Sequence, residues 1–381
     1  MTHRPLDKDN PLPLYYQLRL AILDRIASGE FEPDEPIPSE RKLAGAYDVS
    51  RITVVRALNE LAQEGVLERR HGKGTFVSAS PGRIQVQSST RSAVGFMAPV
   101  FTDPYLFDIV RGVERATSRS GYHLVMICSN EDATQEAQQV LTARQQGLAG
   151  LIVYPMYGQP NRDAFEQTLT EGFPLAFVDR YYPGLPVDCA VCDDERGAYA
   201  LTRHLLEHGH RRIAFVSWYE FDCTSVQGRL RGYRRALEEA GLRADECLIW
   251  SDLYPRDIAQ GADKGHLKGL LAGSGATAVL AVNFIIATFL LRDLWACGLR
   301  IPEEISLAGF GLEVPSLACP FPFTAARQSG FEVGQAGARL LLERLEGRLA
   351  PEPQHVVVPA PLIVSSSSGP APARQDTDWH G

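Results

Sequence analysis

Residues 36–77 contain basic, hydroxyl-bearing and apolar side chains whose spacing suits contact with nucleic acid. In the segment Ser50-Arg51-Ile52-Thr53, the arginine could donate two hydrogen bonds to a guanine edge, and the isoleucine could touch a thymine methyl group. Arg56 follows on the same predicted helix and could read a second guanine. Between residues 39 and 76, seven Lys and Arg stand against five Asp and Glu, a balance of 7 − 5 = +2 in a chain of net charge −8. This local excess predicts a nucleic-acid contact confined to one patch.

The same stretch predicts the elements that would position these side chains. Ser39 and Ser50 are placed to cap two successive helices, because a serine hydroxyl accepts a hydrogen bond from an N–H of the first turn. Three apolar residues of the second helix fall on one face and are expected to point inward: Val54, Leu58 and Leu61. Ile52 and Arg56 fall roughly opposite and are expected to face outward. Short apolar runs on either side of residues 71–74 then predict a strand, a glycine turn and a strand.

The segment PSERKLAGAYDVSRITVVRALNELAQEGVLERRHGKGTFV resembles the winged helix-turn-helix of the GntR family of bacterial transcription regulators. A preceding helix-forming stretch matches as well, so the resemblance covers residues 11–78. It implies DNA contacts from the two helices, by Arg41, Arg51 and Thr53, and from a wing. Together with the residues singled out by their chemistry, the predicted DNA-binding set is Arg41, Ser50, Arg51, Ile52, Thr53, Arg56, His71, Gly72 and Lys73. The family often carries an arginine at the position of Val55.

Length and composition bound the remaining possibilities. A chain of 381 residues with 45% hydrophobic residues is long enough for two or three domains with sizeable cores. The seven cysteines are scattered without a disulfide framework, which favours reduced thiols. The start of the chain lacks a signal-peptide pattern, and no apolar run approaches the roughly 18 residues that a membrane helix needs. We therefore expect a cytoplasmic protein without a membrane partner.

The order of these patterns predicts five segments: a flexible N-terminus at 1–10, a winged helix-turn-helix at 11–79, a linker at 80–92, an α/β domain at 93–364 and a disordered tail at 365–381. From Ala93 onward, short apolar strands alternate with amphipathic helices, which is typical of parallel sheets covered on both faces. The alternation restarts near Arg212. Two α/β subdomains are therefore predicted, with a cleft where the carboxyl ends of their strands converge.

Several motifs in the α/β half carry a second resemblance. The segments CDDERGAY and HLLEHGHRRIAF (192–199 and 204–215), RLRGY (229–233) and GLRIPEEISLAGF (298–310) resemble the effector domain of the LacI family, itself similar to periplasmic sugar-binding proteins. The resemblance covers residues 93–364. It implies two Rossmann-like subdomains joined by three crossovers, with approximate bounds of 93–180 plus 312–345 and 187–310 plus 353–364. It also implies a small-molecule ligand in the cleft and a homodimer. Arabinose-responsive repressors combine a GntR-type DNA-binding domain with such an effector domain.

Matching the cleft of that family residue by residue assigns the candidate ligand-binding residues: Phe101, Asp103, Tyr105, Phe107, Asp179, Arg180, Arg229, Asn283, Phe284 and Gly311. Arg229 is the strongest single candidate for a ligand contact. Phe284 and Gly311 depart from the family, which commonly carries aspartate at these two places. Because the missing aspartate usually accepts hydrogen bonds from sugar hydroxyls, a more apolar or anionic ligand is an alternative to an unmodified sugar.

Other groups of reactive residue types have ordinary structural interpretations. Cys189 and Cys192 are followed by no second pair at zinc-site spacing, and the histidines at 204, 208 and 210 straddle a helix end, where capping or solvated roles are expected. Gly228 and Gly232 follow no strand at the point that a phosphate-binding loop requires. The sequence shows no Ser/His/Asp nucleophile arrangement. We therefore predict no catalytic residue, no metal and no cofactor.

These observations predict a ligand-responsive transcription regulator that is not an enzyme. We expect a homodimeric repressor that binds a roughly palindromic double-stranded DNA operator. Its operator affinity would be modulated by a small molecule in the cleft, possibly a sugar. Two alternatives remain open at this point: a constitutive regulator with a degenerate cleft, and an α/β enzyme with an autoregulatory DNA-binding module. Turnover of a bound ligand would establish the enzyme.

Overall fold

The computed structural model describes residues 14–27, 29–63, 66–70, 74–78, 93–217, 222–251, 253, 264–311 and 323–373. The chain divides into two compact units, Met1–Arg91 and Ser92–Gly381. The predicted flexible N-terminus (1–10) and the predicted linker (80–92) lie outside the described residues.

Among its described residues, the first unit has three helices and a two-stranded antiparallel sheet: α1 (Leu14–Ala27), α2 (Glu40–Tyr47), α3 (Arg51–Gln63), β1 (Leu67–Arg70) and β2 (Gly74–Val77). The two predicted caps are confirmed. Ser39 Oγ accepts a hydrogen bond from the Lys42 N–H at 3.5 Å, and Ser50 Oγ accepts one from the Thr53 N–H at 3.1 Å. Between the helices, Asp48 adopts a left-handed conformation with φ of 52°, which turns the chain from α2 into α3.

The inward stripe predicted on α3 is confirmed. Val54, Leu58 and Leu61 are at most 1% exposed, and they share a core with Leu18 of α1. The opposite face of α3 stays open to solvent, and Ile52 in its first turn is 82% exposed. The helical spacing of the apolar residues therefore decides which side of α3 is available for a partner.

The second unit alternates strands and helices along the chain. Its elements are β3 (Ala93–Ala98), α4 (Pro104–Arg119), β4 (His123–Cys128), α5 (Ala133–Thr142), β5 (Leu148–Val153), α6 (Arg162–Thr170), β6 (Leu175–Val178), β7 (Asp188–Cys192), α7 (Asp194–Glu207), β8 (Ile213–Val216), α8 (Thr224–Glu239), a 3₁₀ turn (Glu246–Leu248), β9 (Ile249–Trp250), α9 (Lys264–Ser274), β10 (Ala278–Ala281), α10 (Phe284–Ala296), β11 (Ser306–Gly311), β12 (Thr324–Arg327), α11 (Gly330–Leu345), β13 (His355–Val358) and β14 (Leu362–Ile363).

These strands form two sheets, which define two lobes. The sheet of the first lobe has the order β13-β7-β6-β5-β3-β4, and the sheet of the second lobe has the order β14-β12-β11-β10-β8-β9. The described pairings are parallel except that of β12 with β14. Apolar residues of the central strands are buried on both faces, because helices cover each sheet on two sides. The predicted α/β class with two parallel-sheet subdomains is confirmed.

The chain passes between the two lobes three times: after β7, after β12 and after β13. The three crossovers implied by the family resemblance are therefore present. The predicted subdomain bounds were wrong for three strands. The structure places β7 and β13 in the first lobe and β12 in the second, each on the opposite side from the prediction. The apolar pattern marks each strand but not the point at which the chain crosses between the lobes, because sheet membership depends on pairing with other segments.

The predicted disordered tail is wrong for residues 365–373, which pack against the second lobe. Ser367 is fully buried, its Oγ accepts from the Thr324 N–H at 2.7 Å, and it donates to the Leu307 carbonyl at 2.6 Å. His210 is also fully buried, with Nε2 at 3.0 Å from the Gly369 carbonyl. Small polar residues suggest disorder by composition, but here they satisfy backbone groups at the edge of the sheet. The remaining tail, 374–381, lies outside the described residues.

Deletion of residues 365–381 is therefore expected to destabilise the second unit by about 2–5 kcal/mol, since several hydrogen bonds of roughly 0.5–1.5 kcal/mol each are lost. The Leu307 N–H, which donates to the Ser367 carbonyl at 2.8 Å, would be left without that partner. Urea unfolding followed by circular dichroism measures the change. Deletion of 374–381 alone is the matched control and should leave stability unchanged, and an equal loss in both truncations would contradict the assignment.

Glycines permit close approach of helices in both lobes. In the first lobe, a Cβ on Gly334 of α11 would lie 2.1 Å from the Ile109 carbonyl oxygen of α4. In the second lobe, a Cβ on Gly232 of α8 would lie 2.1 Å from the Glu195 carbonyl oxygen of α7. These contacts involve backbone atoms, which cannot move aside as a flexible side chain can. Gly232, considered above as part of a possible phosphate loop, thus serves helix packing within α8.

The variant Gly334→Ala is expected to lower the melting temperature of the second unit by several degrees, because overpacking of this kind costs typically about 1–3 kcal/mol. Gly269→Ala is the matched control, since no atom lies within 4 Å of a Cβ built on that exposed glycine of α9. Alanine is the better helix former, so the control should be neutral or slightly stabilised. Differential scanning calorimetry measures the melting temperatures of both variants. Equal melting temperatures would show that α4 and α11 can move apart at little energetic cost.

Candidate functional site

The first turn of α3 presents the side chains that the sequence assigned to DNA. The Arg51 side chain is 76% exposed, and Ile52 projects into solvent beside it. Ser50 Oγ lies 2.8 Å from Thr53 Oγ1, so the two hydroxyls hold each other at the start of the helix. Arg41 on α2 is also exposed. This arrangement places a cation, an apolar side chain and two hydroxyls at one helix end, as major-groove recognition requires.

Glu40 at the start of α2 organises two of the neighbouring cations. The Arg51 Nε–H donates to Glu40 Oε2 at 3.1 Å, and Arg69 on β1 lies 3.7 Å from Glu40 Oε1. One carboxylate thereby links α2, α3 and the strand that leads into the wing. All three side chains keep access to solvent, so the pairing orients the arginines at little energetic gain.

Arg56 has a different environment from Arg51. Its guanidinium carbon lies 3.7 Å from the ring centre of Tyr15 on α1, and its Nε lies 3.5 Å from the Glu60 carboxylate one turn along. The side chain is still 60% exposed. The Arg56 guanidinium therefore packs against α1, whereas the Arg51 side chain lies at the N-terminal end of α3. The wing residues assigned to DNA, at 71–73, lie outside the described residues.

The second unit contains a cleft where the carboxyl ends of strands from both sheets meet. It encloses about 740 Å³ of empty space, part of which is open to solvent. Its described lining consists of Asp103, Tyr105, Tyr154, Tyr157, Asp179, Arg180, Ser217, Cys223, Ser225, Val226, Arg229, Val282, Asn283, Phe284, Ile285, Gly311 and Gln328. These residues follow β3, β5 and β6 in the first lobe, and β8, β10, β11 and β12 in the second. A ligand site at converging strand ends is the arrangement expected for parallel sheets.

Arg180 is a buried cation that is incompletely paired. It is 8% exposed, and its guanidinium carbon lies 4.1 Å from the ring centre of Tyr154 and 5.0 Å from that of Tyr157. Its Nε lies 3.7 Å from Asp179 Oδ2, which is longer than a hydrogen bond. Within the part of the chain that the structure describes, this Nε has no hydrogen-bond partner. Since Arg180 lines the cleft, an acceptor on a bound ligand would satisfy it.

Ser217 is the corresponding group in the second lobe. It directly follows β8, is 1% exposed, and its Oγ also lacks a hydrogen-bond partner among the described residues. Its backbone N–H donates to the Trp250 carbonyl at 2.9 Å, so the residue itself is firmly held. Unpartnered polar atoms are therefore present on both lobes of the cleft.

Arg229 lines the cleft but is already paired. Its Nε–H donates to Asp194 Oδ1 at 2.8 Å, its Nη1 donates to the Val282 carbonyl at 2.5 Å, and its guanidinium lies 4.2 Å from the ring centre of Phe310. Arg229 and Asp194 are 4% and 7% exposed. Burial raises the pKa of the Asp194 carboxyl, and the adjacent guanidinium opposes that rise. Asp194 is thus the partner of Arg229, while the neighbouring Asp193 caps α7.

The remaining ionisable groups of the first lobe complete the polar side of the cleft. Burial raises the pKa of Asp103, whose carboxylate accepts the Tyr105 N–H at 2.9 Å and caps α4. Burial also raises the pKa of Tyr154 well above its ordinary value, so its phenol stays protonated. Asp179 takes a left-handed conformation with φ of 68°, unusual outside glycine, which directs it and Arg180 from the end of β6.

Eight of the ten predicted ligand-binding residues line the cleft, and Phe101 and Phe107 do not. The Phe101 ring lies 6.1 Å from that of Phe96 and packs on the core of the first lobe. Phe107 is 51% exposed on the outer face of α4. Tyr105 and Phe107 are two residues apart on a helix, so their side chains are rotated by about 200° and cannot share one face. The structure therefore does not bring Phe101 and Phe107 to the described lining of the cleft, and their ligand contacts stay predictions.

The sequence reasoning missed several cleft residues: Tyr154, Tyr157, Ser217, Cys223, Ser225, Val226, Val282, Ile285 and Gln328. Tyr154 directly follows β5, and Ser217 directly follows β8. Their position was an available signal, because ligands bind at the carboxyl ends of parallel strands. Gln328 follows β12, and its N–H donates to the Gly311 carbonyl at 3.1 Å. Its strand was not predicted, so no local pattern could have indicated it.

Within the described ranges, no group of three or more His, Cys, Asp or Glu side chains could hold a metal ion. His204 and His210, expected to be solvated or capping, are instead buried at 6% and 0% exposure and bind Ser368 and Gly369 of the C-terminal segment. None of the described helices is long and apolar enough to span a bilayer.

Comparison with known protein families accounts for both units. Residues 14–77 match the family described as bacterial regulatory proteins, gntR family. Residues 91–264 match the periplasmic binding proteins and sugar binding domain of the LacI family, and residues 202–368 match a periplasmic binding protein-like domain.

Individual relatives match over most of their length. The chain is 31% identical over 372 residues to an arabinose metabolism transcriptional repressor of Geobacillus stearothermophilus, covering 95% of this chain and 99% of the relative. It is 27% identical over 365 residues to a protein of the same description from Halalkalibacterium halodurans, covering 94% and 97%. A LacI family transcriptional regulator from Enterococcus faecium, solved with bound ribose, matches with a TM-score of 0.61 and 25% identity over 73% of this chain and 99% of that chain. The chain therefore belongs to the family of ligand-responsive transcriptional repressors that join a GntR-type DNA-binding domain to a LacI-type effector domain.

Proposed function

We propose that this chain is a homodimeric repressor whose operator affinity is set by a small polyhydroxylated effector, a sugar or a related metabolite, in the cleft. The observation that carries the proposal is a pair of buried groups on the two lobes, Arg180 Nε and Ser217 Oγ, that have no hydrogen-bond partner among the described residues. A ligand that hydrogen-bonds to both would favour one arrangement of the lobes over others. A ligand shifts such an equilibrium by its difference in affinity for the two arrangements.

The polar side of the cleft supports hydroxyl groups as the ligand's main feature. Asp103 and Asp179 supply acceptors, and Arg180 supplies donors, while the charge of Arg229 is largely compensated by Asp194. Hydroxyls can both donate and accept, so they suit a site with both kinds of group. The relatives described as arabinose metabolism repressors, and the related structure with bound ribose, favour the same chemical class.

For DNA, we propose that α3 enters the major groove with Arg51 and Ile52 at the base edges, while Arg41, Ser50 and Thr53 contact phosphates. The exposure of the first turn of α3 supports this orientation. Wing contacts by residues 71–73 remain part of the proposal. A dimer would place two such helices on a roughly palindromic site with half-sites about one helical turn, or a multiple, apart.

The first lobe offers a surface for the second copy of the chain. β4 lies at the edge of its sheet, and Val125 and Met126 on this strand are 40% and 44% exposed. Phe107 on α4, which packs against β4, is 51% exposed. An exposed apolar edge strand is a liability in a monomer and is normally covered. When the same surface of a second protomer covers β4, the two copies form a two-fold symmetric dimer.

The variant Met126→Lys is expected to shift the protein from dimer to monomer, because the ammonium group would be buried in the apolar interface. Analytical ultracentrifugation over a range of protein concentrations measures the shift. Lys268 on α9 is already an exposed cation, so Lys268→Glu is a charge-changing control at a site away from β4 and should remain dimeric. A dimer that persists unchanged in Met126→Lys would place the interface elsewhere.

The decisive experiment uses the full-length chain and DNA from upstream of its own gene. Fluorescence anisotropy should show tight, sequence-specific binding that at least one pentose, hexose or polyol weakens. Specific binding that no small molecule alters would favour the constitutive regulator. Failure to bind its own upstream DNA would refute the proposal.

We also propose that the chain binds its effector without transforming it, and that it acts in the cytoplasm, where its operator lies. Ser217, Cys223 and Ser225 carry the hydroxyl and thiol nucleophiles of the cleft, and its described lining contains no histidine that could act as their base. Chromatographic recovery of the bound effector tests this point. Recovery of a chemically changed effector would establish that the protein is an enzyme.

A further inference from the structure

Part of the cleft wall that the second lobe provides is apolar. Four of its lining side chains are hydrocarbon or aromatic: Val226, Val282, Phe284 and Ile285. Phe284 is the first residue of α10, and Asn283 caps that helix. The Phe284 side chain is buried, with 6% exposure. An apolar surface at the wall of a binding cleft gains free energy when a ligand covers it.

Asn283 and Arg229, which lie next to this apolar wall, are already engaged in hydrogen bonds, whereas Ser217 Oγ elsewhere on this lobe has no partner among the described residues. The Asn283 side-chain oxygen accepts the Ile286 N–H at 2.9 Å, which caps α10. The Arg229 guanidinium is directed at Asp194 and at the Val282 carbonyl. These side chains therefore have little capacity left for ligand hydroxyls. A hydroxyl placed against this wall would lose its bonds to water without full compensation.

Gly311 makes the aromatic part of the wall possible. A Cβ at this position would lie 2.7 Å from Phe323 Cζ and 3.3 Å from Phe284 Cδ2. The two phenyl rings, with centroids 6.1 Å apart, occupy the space that a side chain at 311 would fill. Gly311 and Phe284 thus act together: the missing side chain allows the ring of Phe284 to face the cleft with Phe323 behind it.

The opposite wall, from the first lobe, is polar. Asp103, Asp179 and Arg180 lie there together with Tyr154, and Arg180 Nε lacks a partner among the described residues. The cleft therefore has a polar half, which includes Ser217 of the second lobe and favours hydrogen-bonding groups on the ligand. Its apolar half, around Phe284, favours hydrocarbon.

We propose that the effector is a glycoside with an apolar aglycone, whose sugar ring binds Asp179 and Arg180 and whose aglycone packs on Phe284 and Ile285. This inference rests on the proposed function and specifies the chemical class of the effector. An unsubstituted monosaccharide would satisfy the polar half alone and leave the apolar wall facing water. An aromatic aglycone also matches the ring of Phe284, because aromatic pairs stack favourably.

The test is calorimetric titration of the full-length protein with matched pairs of probes. Each pair is the methyl glycoside and the 4-nitrophenyl glycoside of one sugar, taken through arabinose, xylose, ribose, galactose and glucose in both anomers. For at least one sugar we expect the 4-nitrophenyl glycoside to bind at least tenfold more tightly than its methyl partner. The variant Phe284→Asp should reduce this ratio below threefold, while Phe284→Leu should keep most of it.

The variants are chosen so that folding and binding can be separated. A carboxylate is favourable in the first turn of a helix, so Phe284→Asp at the start of α10 is compatible with the fold, and its melting temperature checks this. Equal or tighter binding of the methyl glycosides would overturn the inference, as would a ratio that Phe284→Asp leaves unchanged. Absence of binding by every probe to the folded protein would overturn it too. Anisotropy with upstream DNA is measured on the same preparations, so loss of DNA binding, which would refute the proposed function, is distinguished from failure of the glycoside prediction.

Discussion

Replacement of Arg229 by methionine is expected to lower the free energy of unfolding of the effector domain by about 3–5 kcal/mol, the range found when one partner of a buried ion pair is removed. Arg229 and Asp194 are both under 10% exposed and are joined at 2.8 Å. The variant leaves the Asp194 carboxylate buried without its cation and the Val282 carbonyl without its donor. Methionine fills similar space, so a cavity contributes little. Urea unfolding monitored by circular dichroism measures the loss.

The double variant Asp194→Asn with Arg229→Met separates charge from packing. It removes the orphaned negative charge and is expected to recover more than half of the stability that Arg229→Met loses. If the double variant is as unstable as the single variant, the contact between the guanidinium and Phe310, at 4.2 Å, would be the main contribution of Arg229. Ligand affinity measured on the double variant then shows whether Arg229 also contacts the effector.

The variant Arg51→Ala is expected to weaken operator binding by about 1–3 kcal/mol, roughly 5- to 150-fold, and to relax the preference at one base pair of each half-site. Arg51 lies in the first turn of α3, and its side chain is 76% exposed. Glu40, which holds its Nε in the free protein, stays in place, so the fold of the module should not change. Anisotropy titrations against the operator and single-base variants of it measure both effects.

Arg56→Ala is the matched comparison on the same helix. It removes the same charge, but its guanidinium packs on the Tyr15 ring at 3.7 Å, so we expect a uniform loss across DNA sequences rather than relaxed preference at one base pair. Both variants should weaken the salt dependence of binding slightly, since each removes one cation. A change of base preference in Arg56→Ala alone would assign base reading to Arg56 instead of Arg51.

The sequence alone determined the DNA-binding module, because the signals that specify it are local. The caps at Ser39 and Ser50 act within three residues, and the stripe of Val54, Leu58 and Leu61 follows directly from the helical repeat. The alternation of apolar strands and amphipathic helices likewise determined the class of the second unit. Eight of the ten assigned ligand residues line the cleft, and most of them lie at or shortly after a strand end, whereas Arg229 lies within α8.

Only the tertiary structure decided which sheet each strand joins and how the cleft is divided chemically. β7 pairs with β13 and β12 pairs with β14, although the chain passes through the other lobe between the two members of each pair. The segment 365–373 is ordered by bonds to residues more than forty positions away, such as Thr324 with Ser367. The pairing of Arg229 with Asp194 and the packing of Phe284 against Gly311 also join residues of different elements of the chain. These contacts depend on how the chain closes upon itself, and the free energy of such long-range contacts is not encoded in the pattern of any single segment.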